Sequence, residues 1–382
     1  MRIAIDASSL MPPRTGIGNY SFQLVRELLR LDRRNSYTLF FNSLRRPLPD
    51  IFESESPENV RIIRRRIPGS WLHRAWRRWR RPLWETLAGP ADIVHAPASI
   101  VPPVLSARRV VTLHDCYFMR SPENCHALGG LYMRETLPRL IHECDAVVCV
   151  SHFTRDEAVE LLGLDPARAW VAHAGVDTTR FRVLDEGLCI DFARKRLVLP
   201  LQFFLTVATL EPRKNLQGLF EAYARLKAIT PDPPKLVCVG EEGFQTDEIY
   251  ARLDALQLRD DVFFTGFLEN EDLPYLYNLA VAMVMPSLYE GFGLPVLEAM
   301  ACGTPVLASR IPALQETGGD AALYIPPEDA AGWAEAMRRL ADSSALQVQL
   351  REKGLARVGQ FAWSDTARKT LAVYEKLAPA TS

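Results

Sequence analysis

Short, continuously apolar runs rich in β-branched residues recur along this chain, separated by stretches of helical period. Seven fall in the first half, near Arg2–Asp6, Thr38–Phe41, Val60–Arg64, Asp92–His95, Arg109–His114, Ala146–Val150 and Trp170–His173. Six more lie near Phe203–Thr206, Lys235–Val239, Val262–Thr265, Val281–Met285, Pro305–Ala308 and Ala322–Ile325. Strands whose apolar character does not alternate are covered on both faces, as parallel strands between helices are. Tyr20–Leu31, Asn215–Ile229 and Ala330–Leu340 carry the helical period in between. The alternation predicts an α/β fold of doubly wound parallel sheets, with ligands taken at the C-terminal ends of the strands. A length of 382 residues suggests two domains. The expected boundaries are 1–180, a linker at 181–200 where no clear period is found, 201–362, and a last helix within 363–382 capped by Ser364.

Composition removes several classes of function. With 48% hydrophobic and 24% charged residues, the chain is not intrinsically disordered. The longest apolar runs, such as Leu279–Met285, fall well short of the ~18 residues of a membrane span. The first residues are too short an apolar run for a signal peptide. A net charge of −1 offers no global attraction to nucleic acid. Seven cysteines without a C-x-x-C pair predict buried thiols in a reducing compartment rather than disulfides or zinc. Neither D-x-D nor H-E-x-x-H occurs, so no metal site is expected. G-x-S-x-G and the Walker loop are missing too, which sets aside activated-serine hydrolases and P-loop kinases.

Four constellations remain. The densest runs from Tyr289 to Ala301, after the strand at Val281–Met285. Gly291 and Gly293 permit close backbone approach, and Pro295 suits a helix start whose free amides bind phosphate. Glu290 and Glu298 flank that start, and carboxylates there suit hydroxyl groups on either side of a phosphate, as in a nucleotide sugar. Arg213-Lys214, after the first strand of the second half, could neutralise a departing diphosphate. Gly16-Ile17-Gly18 precedes the first helix but lacks the third glycine of a dinucleotide fingerprint, leaving a substrate-closing turn or a structural one. His114 ends a buried strand, beside an Asp115 able to orient it; a packed core histidine and a ligand contact both fit.

Together these residues resemble glycosyltransferase family 4, the retaining nucleotide-sugar transferases of the GT-B fold, over nearly the whole chain. Glu290 and Glu298 match the E-x7-E motif, Arg213-Lys214-Asn215 the R-K-N element, His114-Asp115 the H-D pair and Gly16-Ile17-Gly18 the glycine loop. The resemblance implies two Rossmann-like domains facing across a cleft: an N-terminal acceptor domain and a C-terminal nucleotide-sugar domain, with the last helix packing back on the first. It implies that Glu298 accepts the ribose hydroxyls. Glu290, with the backbone of Phe292, Gly293 and Leu294, would hold the donor sugar and phosphates. Arg213 and Lys214 would clamp the diphosphate, Phe267-Leu268 would lie by the base, and His114 would meet the sugar near its anomeric carbon. Where some members carry another basic residue, this chain reads Val207-Ala208-Thr209. The string is most similar to bacterial polysaccharide mannosyltransferases, so the expected donor is GDP-mannose, with no cofactor or metal, and the acceptor a glycan or lipid-linked glycan. A UDP-sugar transferase with a soluble acceptor and a non-catalytic sugar-nucleotide sensor are the competing readings.

Charge is unevenly spread: residues 61–81 hold nine arginines and no acid. Trp71–Trp84 reads as an amphipathic helix, with Ala75, Trp76, Trp79 and Leu83 in one stripe and Arg74, Arg77, Arg78 and Arg81 opposite. Trp71, Trp76 and Trp79 with Arg77, Arg78 and Arg81 are the expected contacts to an anionic membrane, on its inner, cytoplasmic face. A surface helix packed on its own sheet is the plainer alternative.

Overall fold

The computed structural model describes residues 1–12, 14, 16–47, 58–124 and 132–378. It divides into two compact units: Met1–Gly175 with the C-terminal helix Trp363–Leu377, and Val176–Ala362. The thirteen strands of the described residues lie within a few residues of the thirteen predicted runs. In the first unit they are β1 (Arg2–Asp6), β2 (Ser36–Asn42), β3 (Val60–Arg65), β4 (Ile93–Ala96), β5 (Arg108–Leu113), β6 (Ala146–Cys149) and β7 (Ala169–Val171). In the second they are β8 (Phe203–Val207), β9 (Lys235–Val239), β10 (Val262–Gly266), β11 (Ala282–Met285), β12 (Val306–Ser309) and β13 (Leu323–Ile325).

Each unit is one parallel sheet, ordered β3-β2-β1-β4-β5-β6-β7 and β10-β9-β8-β11-β12-β13. Every residue of β4, β6, β11 and β12 is buried, which is why β6 and β11 are unbroken apolar runs and β4 and β12 carry only one polar residue each, His95 and Ser309. In both sheets the first strand has its sequence neighbour on one side and a later strand on the other. The chain thus reverses its winding between β1 and β4, and again between β8 and β11. The carboxyl ends of the strands at such a reversal are where open α/β sheets take their ligands.

The expected linker, 181–200, is instead part of the second unit. It contains the Glu186–Phe192 helix, whose Phe192 stacks on Tyr275 at 4.5 Å between ring centroids. Asn278 ties it down further, accepting from the Leu184 amide and donating to the Arg182 carbonyl, both at 2.9 Å. Asp185, which caps this helix, gives it a start that an apparently aperiodic sequence concealed.

The helix expected over Trp71–Trp84 is also corrected. It spans Gly69–Trp79 and stops at Arg80, which takes the left-handed conformation (φ 53°), before a cis Arg81–Pro82 bond and a second helix, Trp84–Ala88. Pro82, lacking an amide hydrogen, cannot continue a helix and restricts the residue before it. Trp76 is therefore no membrane contact: with Leu72, Trp84 and Phe40 it forms core, and its indole donates to the Pro82 carbonyl at 2.9 Å. Three of the nine arginines, Arg61, Arg64 and Arg65, lie on β3, an edge strand, where charge discourages pairing with another chain. The six described cysteines are buried thiols; Cys125 lies outside the described residues.

Candidate active site

In the second unit the loops after β8 and β11 meet where the winding reverses. The β8 loop makes a tight turn at Pro212–Lys214, ended by Asn215 in the left-handed region (φ 55°). Asn215 has a side chain able to tolerate that conformation, and its amide reaches the carbonyls of Pro286 and Pro327, each at 3.1 Å. The Arg213 carbonyl accepts from the Leu288 amide at 2.9 Å. These bonds fasten the basic turn to the glutamate loop.

Glu290 is consequently bound on both carboxylate oxygens. Lys214 Nζ lies 2.6 Å from Oε1 and Arg213 Nη1 3.1 Å from Oε2. Glu211 holds the other side of the Arg213 guanidinium at 2.8 Å. Burial opposes the Glu290 charge, but Lys214 and Arg213 outweigh it and, with Ser287, hold the carboxyl below its ordinary range. Glu290, expected as a sugar holder, is in the structure the counter-ion of two half-buried cations.

The helix that follows, Leu294–Ala301, starts after Gly293 at φ 110°; a Cβ there would lie 2.6 Å from the Leu314 side chain. Only glycine serves at such a position. The Phe292 carbonyl accepts from Thr317 at 2.7 Å, and the Phe292 ring packs edge-on against Phe361. Within the first turn Pro295 has no amide hydrogen and the Val296 amide donates to the Gly293 carbonyl at 3.0 Å, which leaves the Leu294 amide as the donor the expected phosphate role would use. Glu298, on the same helix, accepts from the Tyr277 hydroxyl at 2.9 Å. Burial raises its pKa to about 7, against the opposing effects of Tyr277 and Arg180. Phe267, 42% exposed, and Leu268 follow β10 at the same sheet edge.

Sequence reasoning missed Tyr277 because it lies 21 residues from its partner, with no local pattern joining them. It also missed Gly240, at φ 149° just after β9, where a Cβ would lie 1.9 Å from the Ala208 carbonyl oxygen. That glycine lets the loops after β8 and β9 run side by side, and the Val-Gly at a strand end was the available signal.

In the first unit, His114 immediately follows β5. Its Nε2 lies 2.7 Å from the Pro97 carbonyl oxygen, in the loop after β4. Burial lowers its pKa, leaving the ring neutral. Asp115 was expected to orient it, but the Asp115 carboxylate accepts instead from the Tyr117 amide at 3.1 Å. Gly16 and Gly18 are not in a loop before the helix: they form its first turn, in a helix spanning Gly16–Leu31. At Gly18 a Cβ would lie 2.7 Å from the Ser9 carbonyl oxygen, a packing reason for glycine, while at Gly16 it would meet nothing. The structure therefore brings Arg213, Lys214 and Glu290 into contact and places Phe292, Gly293, Leu294 and Glu298 on one helix start.

Both halves of the chain match known families. Residues 14–180 match the Glycosyltransferase Family 4 model and 191–357 the Glycosyl transferases group 1 model. O-antigen chain mannosyltransferase B of Escherichia coli is 31% identical over 99% of this chain and 100% of its own length. The serotype-specific mannosyltransferase WbdA of Escherichia coli is 31% identical over 74% of this chain, which corresponds to 35% of that longer protein. Among solved structures, a sucrose-phosphate synthase from Thermosynechococcus elongatus superposes with a TM-score of 0.76 at 22% identity, covering 99% of both chains. The lipopolysaccharide glycosyltransferase WaaG gives 0.70 at 15% identity, over 98% of this chain and 99% of its own. These neighbours share the GT-B fold. A relative matched end to end at this identity, with a family model on each half, makes this chain a member of glycosyltransferase family 4, its second half a group 1 glycosyl transferase domain.

Proposed function

We propose that this glycosyltransferase moves mannose from GDP-mannose to a lipid-linked glycan acceptor, with retention at the anomeric carbon. The observation that carries the reading is the Arg213–Glu290–Lys214 clamp at the winding reversal, ahead of a helix start bearing Glu298. Two cations held beside a helix start suit a diphosphate, and a half-buried carboxylate on that helix suits a ribose. The mannose assignment is supported by the end-to-end likeness to O-antigen chain mannosyltransferase B. As the diphosphate leaves, charge grows on its oxygen, and Arg213 and Lys214 stabilise that charge. The acceptor hydroxyl enters on the same face and gives its proton to the leaving oxygen. No carboxylate pair flanking one sugar is then needed, unlike in a double-displacement glycosidase. Turnover against a panel of nucleotide sugars tests the reading: GDP-mannose should be used fastest. Preference for a UDP-sugar would replace the donor, and absence of turnover or donor hydrolysis across the panel would favour a sensor.

The basic pair takes the place that a divalent ion held by D-x-D would occupy at the leaving group. Activity in excess chelator is therefore expected to remain within about twofold of the untreated rate. Complete loss, restored by manganese or magnesium, would overturn the electrostatic argument.

A membrane-surface acceptor is supported by an exposed patch on the first unit. Trp71 and Trp79 are 51% and 60% exposed, although Trp76 is not. Arg74, Arg77, Arg78 and Arg81 are exposed around them, and none has an ion-pair partner among the described residues. Indoles beside unpaired guanidinium groups suit an anionic headgroup layer. No helix of the described residues is long and apolar enough to cross a membrane. Each basic residue near an anionic surface is worth ~1 kcal/mol, so replacing Arg77, Arg78 and Arg81 by glutamate should weaken binding about a hundredfold or more. Cosedimentation with phosphatidylglycerol vesicles at low salt measures this; unchanged binding would make the patch merely structural.

A further inference from the structure

We propose that Tyr20 positions the His114 imidazole, and that Trp363, the first residue of the C-terminal helix, holds Tyr20 in place. The inference rests on the reading that His114 meets the donor sugar, and it adds two residues that no motif marks.

The Pro97 carbonyl oxygen can only accept, so the His114 nitrogen at 2.7 Å, Nε2, must carry the ring proton. A neutral imidazole then offers Nδ1 as its acceptor, and no hydrogen bond reaches Nδ1 among the described residues. That lone pair suits a sugar hydroxyl. One hydrogen bond, however, fixes one point of the ring and leaves its plane free to rock. Asp115 does not supply the second restraint, being bound to the Tyr117 amide. Tyr20 does: its ring lies 4.9 Å from the imidazole centroid at 88°, the edge-to-face arrangement that aromatic pairs favour.

Tyr20 is buried on the Gly16–Leu31 helix and is itself backed by Trp363, at 5.5 Å and 69°. The helix that Trp363 begins is pinned to the same unit. Thr366 donates to the His173 carbonyl at 2.6 Å, and the Tyr374 hydroxyl lies 2.5 Å from Nδ1 of the buried His95. His95 Nε2 in turn meets Thr112 on β5, two residues before His114. A continuous stack therefore runs from the C-terminal helix through Trp363 and Tyr20 to the imidazole. The Tyr20 hydroxyl plays no part in it, so phenylalanine should serve in its place.

The test uses the full chain and the nucleotide sugar turned over fastest in the panel above. Tyr20→Leu is expected to lower kcat about tenfold with KM for the donor within twofold, while Tyr20→Phe stays within twofold of the unaltered enzyme. In a His114→Ala background, Tyr20→Leu should change kcat by less than about twofold, because the interaction it serves is already gone. An equal loss in both backgrounds would overturn the proposal. If His114→Ala alone is fully active, the reading of His114 fails first, a separate and recognisable outcome. Should Tyr20→Leu not fold, Trp363→Leu takes its place in the same cycle. Nitrogen NMR of the histidine-labelled chain gives a donor-free readout. His114 should show a protonated Nε2 and a bare Nδ1, giving way to mixed tautomers in Trp363→Leu; an unchanged tautomer there would also overturn the proposal.

Discussion

Replacing Glu290 by alanine is expected to lower transfer about 10³-fold, the scale of losing a preorganised charge-stabilising group, and to weaken the fold of the second unit as well. The carboxylate is the shared partner of Lys214 and Arg213 at 2.6 and 3.1 Å. Without it, Lys214 is left enclosed beside a like charge, while Arg213 keeps only Glu211. Removing one partner of a fully enclosed ion pair costs roughly 3–5 kcal/mol. Arg213 and Lys214 retain 19% and 12% of their side-chain surface, so about 2–3 kcal/mol is expected here. Lys214→Met should be milder, since Glu290 then keeps Arg213 and Ser287. Urea unfolding measures the stability, and turnover the loss of transfer. A Glu290→Ala enzyme with the original midpoint and rate would show that the clamp neither supports the fold nor prepares the site.

Binding of a nucleoside diphosphate should tighten as pH rises through about 7, the value to which burial lifts the Glu298 carboxyl. Only the ionised group accepts from both ribose hydroxyls, and a hydrogen bond to a charged group is worth roughly 1.5–3 kcal/mol. Glu298→Ala is thus expected to weaken binding by about 10- to 150-fold. Below pH 7 the unaltered enzyme should lose up to about tenfold per unit, until binding to the neutral carboxyl takes over. The stability effect has the opposite sense. A carboxyl whose folded value lies above its ordinary 4.5 takes up protons in the folded state between 4.5 and about 7. Glu298 therefore lowers stability progressively as pH rises across that window and fully above it. Glu298→Gln should melt higher than the parent at pH 8, equal it near pH 4, and bind nucleotide without the pH step. Calorimetry with GDP across this range decides the matter: an identical step in the Gln variant would assign it to another group.

The sequence alone determined the α/β architecture, because two-sided burial leaves short, mostly apolar runs such as those of β6 and β11, and their regular alternation with stretches of helical period points to parallel strands. It also marked the candidate site loop, since glycines, proline and two carboxylates in one short string are a local pattern. Tertiary structure decided the rest, wherever the deciding partner is distant in sequence. Arg213 lies 77 residues from Glu290, and only the adjacency of β8 and β11 makes the carboxylate its counter-ion. His114 is oriented by Pro97 and packed against Tyr20, not held by its neighbour Asp115, because the loops after β4 and β5 converge while Asp115 turns to its own backbone. The helical wheel placed Trp76 and Trp79 on one stripe, yet the sheet beneath took Trp76 and the Arg80–Pro82 break left Trp79 outside. Periodicity records which face of an element is apolar; what that face meets, and where the element stops meeting it, is settled by packing.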